Sequence, residues 1–364
     1  MKAKYLLFFI VLMFIPKIVF ASDMLSEEYQ LSLYNAKVIE VVDVKNYKDT
    51  TVQTLKIKIL NKDLKDHESI IKNTLSFNGS DIKLKKGDKI SVHMEKDDGE
   101  YKFYFEGYDK TGSLIVLSII FIICTIAFGG IKGIKSLIAL VFTILLILFG
   151  LVPLLLKGHN PIILSIITCV ISTILTFSIT NGFTKKSLIA ILGVTAGLII
   201  SGLIAYIFAL TTRITGFASG DAQMLQYLPS GIVFDFKGLL FASIIIGALG
   251  ACMDVSMEIT SSLSEIKKHH PKISNVELIK SGFNIGKDMM GTMINTLILA
   301  YSGTSLSTIL IFIGFNKGFS DIINLDSITT EIIRSLSGSI GLLFAIPATI
   351  FLFIFFNKGG HYEK

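Results

Sequence analysis

Two periodicities divide the chain. Between about residues 22 and 110, apolar and polar side chains alternate, as in AKVIEVVDV (36–44), TVQTLKIKIL (51–60), DKISVHME (88–95) and EYKFYFEGY (100–108). Period-two alternation rich in Val, Ile, Phe and Tyr predicts half-buried strands. Asn78-Gly79, Lys86-Gly87-Asp88 and Asp97-Asp98-Gly99 mark the turns. The expectation is a small β-domain, a barrel or sandwich of five or six strands. From Gly112 onward the alternation gives way to long apolar runs. Seven of them, at about 113–130, 136–156, 161–181, 187–210, 238–259, 290–314 and 336–357, approach the ~20 residues that cross ~30 Å of hydrocarbon. The predicted fold class is an α-helical polytopic membrane protein of about seven spans, residues 111–364, with a small N-terminal extracytoplasmic β-domain, residues 22–110.

Residues 1–21 read as a signal peptide. Lys2 and Lys4 precede the apolar LLFFIVLMFI, and Val19-Phe20-Ala21 supplies a small-residue cleavage site ahead of Ser22. Pro16 and Lys17 interrupt the apolar run, which makes it a poor spanning helix; an uncleaved anchor is the alternative. Charge in the short loops sets the orientation. Lys132 and Lys135, then Lys185 and Lys186, then Lys267, Lys268, Lys272, Lys280 and Lys287 fall on one side when spans are counted from an exported N-domain. The positive-inside rule places the N-domain outside and the C-terminus inside, in a bacterial cell membrane. Two loops exceed simple turns. Residues 211–237 contain AQMLQYL, a short helix ended by Pro229. Residues 315–335 lead through LDSITTEIIRSLSG, read as a helix lying at the interface, with Phe319, Ile322, Ile323, Ile332 and Ile333 as apolar anchors.

Composition narrows the classes. Only 17% of residues are charged, against roughly 25% in soluble domains, which fits a membrane bundle carrying some soluble mass. The net charge of +6 sits in short loops and not in a basic stripe with aromatics, so a nucleic-acid partner is excluded. Cys124, Cys169 and Cys252 all lie in apolar runs, fit neither a disulfide framework nor a metal motif, and are read as small core residues. HExxH, GxSxG and Walker A signatures are missing, and GFASGD (216–221) reads as a turn. No catalytic residue, cofactor or metal is expected, and the chain is not read as an enzyme.

The candidate chemistry lies in GALGACMDVSMEITSSLSEIKKHH, residues 247–270. Asp254 and Glu258 fall four apart, on one helical face with Gly250, at the end of a segment apolar enough to span. Acids at membrane depth are costly and mark ion or solute paths. Ser274-x-x-Glu277 is a capping box that starts a helix entering the sixth span unbroken. On that helix Asn284, Asp288, Thr292, Thr296 and Ala300 form a stripe, with Lys287, Gly291 and Asn295 beside it. Two readings follow. Asp254, Glu258, Asp288 and Asn295 converge, with Lys287 as counter-charge, to bind a cation or proton; or Lys287 forms an interhelical salt bridge to Asp254 or Glu258 that only fixes packing. Gly193 and Gly197 of the fourth span, and Gly247 and Gly250 of the fifth, allow close helix packing, and Pro347 marks a hinge in the last span. His269-His270 and the methionines Met253, Met257, Met289, Met290 and Met293 are read as structural.

FKGLLFASIIIGALGACMDVSMEITSSLSEI (236–266), GKDMMGTMINTLILAYSGTSL (286–306) and SGSIGLLFAIPAT (337–349) resemble the YibE/F family of bacterial integral membrane proteins. The resemblance covers the chain in outline, including the GGIKGIKSL loop (129–137), and is strongest over 236–305. It implies architecture, with Asp254, Glu258, Asp288 and Asn295 in the family-like segments, and it brings no substrate with it. The functional expectation is transport of a small solute or ion through a carboxylate-lined path. The alternative is a non-transporting structural or sensory protein whose exported domain, residues 22–110, binds a partner protein. The lipid bilayer is the expected partner in either case; the oligomeric state is left open.

Overall fold

A computed structural model describes residues 32–47, 50–76, 83–97, 100–228, 233–316 and 318–357. The signal segment, Asn78-Gly79, Asp98-Gly99 and Pro229 lie outside the described residues. The chain divides into two units, one ending at Ala127 and the other beginning at Phe128.

The first unit holds five strands: β1 (Ser32–Asn46), β2 (Thr50–Ile59), β3 (Glu68–Ser76), β4 (Lys89–Asp97) and β5 (Glu100–Tyr108). All neighbours pair antiparallel in the order β3-β2-β1-β4-β5. Alternation sends Tyr34, Ala36, Val38, Leu55, Ile57, Ile59, Ile71, Ile90, Val92 and Phe103 into one core. β1 serves both halves of the sheet. Register shifts at Val38/Glu40 and Val41/Asp43 bend it, as bulges do where a sheet curls. β3 and β5 approach each other, so the sheet closes into a partly open barrel. A three-strand meander whose fourth strand returns beside the first is a Greek key, and this strand order is that of an OB-type barrel.

A polar device seals the core. Gln53, 1% exposed, donates to Leu84 O at 3.2 Å and accepts from Leu84 N at 2.9 Å, while Asn73 donates to the same Gln53 oxygen at 3.2 Å. The amide thus holds the β3–β4 connection as a strand neighbour would, and Leu84 becomes the plug. Gly87 turns that connection at φ +97°, which lets its N–H donate to Val38 O at 2.8 Å.

Helix α1 (Thr111–Leu146) continues through a π-turn (Ile147–Leu151) into α2 (Val152–Leu156). Its one non-helical residue is Gly130, at φ 53° and ψ −135°. Then come α3 (Pro161–Thr180), α4 (Lys185–Thr212), the short α5 (Gly220–Met224), α6 (Phe236–His269), α7 (Asn275–Thr304), α8 (Leu306–Gly314), α9 (Phe319–Ile323) and α10 (Asp326–Asn357). Among the described residues five helices are long and apolar enough to cross a membrane, or six if the bent pair α7–α8 counts as one span.

The helix starts follow local chemistry. Asn160, Thr184, Ser219 and Asp235 cap α3, α4, α5 and α6 by accepting backbone N–H groups. The capping box of α7 forms as the spacing predicts: Glu277 N donates to Ser274 Oγ at 3.2 Å and Ser274 N to Glu277 Oε2 at 3.1 Å.

Three expectations need correction. The helix that starts after Ser274 enters the sixth apolar run unbroken as expected, but 290–314 is not one straight span, because the chain turns by 58° at Ser305 between α7 and α8. LDSITTEIIRSLSG is not a separate interfacial helix, because α10 starts at Asp326 and carries these residues into the last span. Its buried positions Ile328, Thr330, Ile333, Ser335 and Ser337 pack inward instead of lying flat. Cys124 is exposed, whereas Cys169 and Cys252 are buried.

The bundle core forms where α4, α6, α7 and α10 meet, around Ile189, Val194, Leu198, Cys252, Val255, Leu342 and Ile350. The closest seam joins α4 to α10. A side chain at Gly197 would strike Ala345 Cβ and Gly341 O, and one at Gly341 would strike Ser201 Cβ and Gly197 O. Glycine is therefore required for backbone-to-backbone approach. Gly193 faces Thr349 and Ser256, and Thr349 Oγ1 lies 3.2 Å from Ser256 Oγ. α10 runs on through Pro347, whose ring removes one backbone donor inside the bundle.

Candidate functional site

The site grows from the exposed face of α6. Ala248, Cys252, Val255, Ser256, Ile259 and Leu263 point into the core. Ser243, Gly247, Gly250, Asp254 and Glu258, spaced 4, 3, 4 and 4, occupy the opposite side and are all exposed. At 1.5 Å per residue this stripe runs about 22 Å, most of a hydrocarbon thickness. If the apolar stretch begins at Leu239, Glu258 stands near its far boundary and Asp254 about 6 Å inside.

α7 contributes a second stripe. Leu278, Gly282, Gly286, Met289 and Leu297 are buried. Ile350 of α10 lies against Gly282 and Ile346 against Gly286, so that face belongs to α10. Lys287, Asp288, Gly291, Thr292 and Asn295 remain exposed. Two contacts fix the antiparallel register of α6 and α7: Tyr301 Oη sits over Gly247, and Leu263 lies against Gly282. Interpolating along the helices sets Glu258 level with Lys287 and Asp288, and Asp254 level with Thr292 and Met293.

Asp254 and Glu258 are exposed on α6, and Asp288 and Asn295 are exposed on α7, all outside the core. No hydrogen bond or ion pair engages any of their side chains, or Lys287, among the described residues. The interhelical salt bridge from Lys287 to Asp254 or Glu258 is thus not formed. Gly250 and Gly291 have open space where a side chain would be, so Gly250 packs against no helix here. Gly247 is filled by the Tyr301 ring and not by backbone.

The sequence reading missed a further group, at the end of the bundle where α10 begins. Arg334 Nη1 donates to Glu331 Oε1 at 2.8 Å, and Nη2 donates to Ser243 Oγ at 3.2 Å. Its guanidinium carbon lies 5.8 Å from the centre of the Tyr301 ring. The two side chains are 24% and 23% exposed, so this is a largely buried ion pair. One arginine therefore ties α10 to α6 and α7 at the head of the same α6 stripe that ends in the acids. The available signal was the i,i+3 spacing of Glu331 and Arg334, hidden by an amphipathic pattern that reads as surface.

A cavity of about 220 Å³ lies between Leu155–Pro161 and Val233–Leu239, and an open depression surrounds His269–Ile273 and Glu277. Neither is lined by Asp254 or Glu258. His269 Nε2 lies 3.1 Å from Glu265 Oε1, a local helix contact. Among the described residues no group of three or more His, Cys, Asp or Glu side chains is placed to hold a metal.

These features define a multi-pass membrane protein with a separate N-terminal β-barrel. The family model described as YibE/F-like protein matches residues 117–359, and that of the YibE/F family N-terminal domain matches residues 32–108. The chain belongs to the YibE/F family. No curated protein and no solved structure matches it.

Proposed function

We propose that the protein moves a small ion or solute across a bacterial cell membrane along the α6–α7 face. The observation that carries this reading is the pair Asp254 and Glu258: two exposed carboxylates on a helix apolar enough to span, with no partner among the described residues. A charge at the bilayer centre costs ~2.5–3.5 kcal/mol on insertion scales, with less towards the boundary, and acids within a span belong to paths for polar cargo. Seven passes fit if the segment Thr111–Leu156 supplies two of them, since its 46 residues, interrupted at Gly130, would rise about 69 Å as helix, roughly twice a bilayer. With the barrel outside and the C-terminus inside, the lysine-rich loops lie in the cytoplasm.

Purified full-length protein in liposomes, with a trapped pH-sensitive dye and an imposed Na⁺, K⁺ or pH gradient, tests the reading. Flux is expected for the wild type and is lost in Asp254→Asn. Equal flux from a folded Asp254→Asn protein removes the carboxylate role. A second reading is favoured by the exposed Tyr47, Ile70, Tyr101 and Tyr104 of the barrel: a domain that binds a partner protein while the bundle anchors it. Liposomes without flux, together with a partner retained through residues 22–110, support that alternative.

A further inference from the structure

The α6–α7 face poses a problem that one chain does not solve. Lipid solvates the exposed Ile119, Phe121, Ile144 and Leu148 of α1 and its π-turn, but it does not solvate carboxylates and an amide. Lys287 and Glu258 have opposite charges, interpolate to the same level, and are both exposed and unpaired among the described residues. A two-fold axis along the bilayer normal preserves depth, so a group on one copy meets only groups at its own level on the other. Gly250 and Gly291, with nothing beside them, leave room for a second helix to approach closely.

We propose that this face is the interface between two copies of the chain, in which Lys287 of each copy pairs with Glu258 of the other. The pairing is isologous, so each dimer holds two such contacts. Asp254 and Asp288 are then enclosed between the copies, next to one another's polar stripes and away from acyl chains. Three acids against one lysine leave each half negative, which suits uptake of cations or protons into the enclosed space. The dimer shares with the transport reading only the placement of α6 and α7 in the bilayer; association is measured without flux, so either fails alone.

The experiment co-expresses two differently tagged full-length chains and counts the second tag recovered with the first from nanodiscs. Wild-type copies are expected to co-purify. Glu258→Lys with itself, and Lys287→Glu with itself, are expected to lose about tenfold or more, because each places like charges opposite one another. Glu258→Lys mixed with Lys287→Glu is expected to recover, since every contact regains opposite signs. An intrachain pair predicts the reverse: no recovery from mixing, and rescue only when both changes lie in one chain. Failure of wild-type copies to co-purify, or equal recovery in all combinations, overturns the proposal. Should a charge variant not fold, Gly250→Cys and Asn295→Cys chains lacking Cys124, Cys169 and Cys252 are mixed and oxidised. A disulfide-linked dimer is expected, and its absence overturns the interface.

Discussion

The α4–α10 seam and the α6–α7 face are built from the same small and polar residues, yet they do opposite things. In the seam Gly197 and Gly341 touch backbone, and Ser201, Ser256, Ser339 and Thr349 are almost wholly buried. Two of those four hydroxyls return to their own helix, Thr349 donating to Ala345 O and Ser339 to Ser335 O, each at 2.7 Å, while Ser256 accepts from Thr349 and Ser201 Oγ has no partner among the described residues. On the α6–α7 face the glycines are open or filled by a single tyrosine, and the charged groups bond to nothing among the described residues. Hydroxyls can satisfy themselves on a helix; carboxylates cannot, because they carry no donor when ionised and their cost persists until another charge or water arrives. Small polar residues thus make a dry joint where only hydroxyls are present, and an unfinished surface where acids are.

Gly341→Leu against Gly250→Ala sharpens this contrast most. The first drives a side chain into Ser201 and Gly197, an overpacking that costs ~3 kcal/mol or more and should abolish monodisperse protein on size exclusion. The second enters open space and should leave thermal unfolding of the chain within ~0.5 kcal/mol of wild type. Equal tolerance at both positions would erase the distinction.

Arg334→Gln comes next. It strips Glu331 of its partner and removes the tie to Ser243, so stability should fall by ~2–3 kcal/mol, less than for a fully buried pair because the side chains are about one-quarter exposed. Adding Glu331→Gln should return part of that loss, since the uncompensated charge goes with it. A double variant no better than the single would show that the pair's charge is immaterial.

The smallest effect belongs to the barrel surface. Glu68 is held below its ordinary value by a hydrogen bond from Lys56, whose Nζ lies 2.7 Å away, and then by that lysine's charge. A carboxyl lowered on folding adds stability above its unfolded value and loses it as pH falls through the folded one. Barrel unfolding should therefore shift slightly downward in temperature below about pH 4.5, and Glu68→Gln should remove that slope. A slope unchanged in Glu68→Gln would assign it elsewhere.

Much of the fold was legible. The strand alternation placed Leu55, Ile57 and Ile59 inside the barrel, because a pleated strand has only two faces and one must be dry. The Ser274–Glu277 box fixed the start of α7 to the residue. Closure of the barrel was not legible, since it depends on the bulges in β1 and on Gln53 reaching Leu84 across 31 positions of chain. The candidate site was half legible. Asp254, Glu258, Asp288 and Asn295 were singled out for their chemistry, but a four-residue spacing says which positions share a face and not what that face meets.

From the order of residues alone came two materials, the apolar lengths, the helix caps and the acids too costly to stand in lipid. Only the tertiary structure decided that α4 lies against α10, that Arg334 is drawn into the bundle beside Ser243 and Tyr301, and that the acids look outward. The reason is physical. A helix apolar on every side carries no moment that names its neighbour, so the choice of contact is settled by which small side chains let two backbones close together.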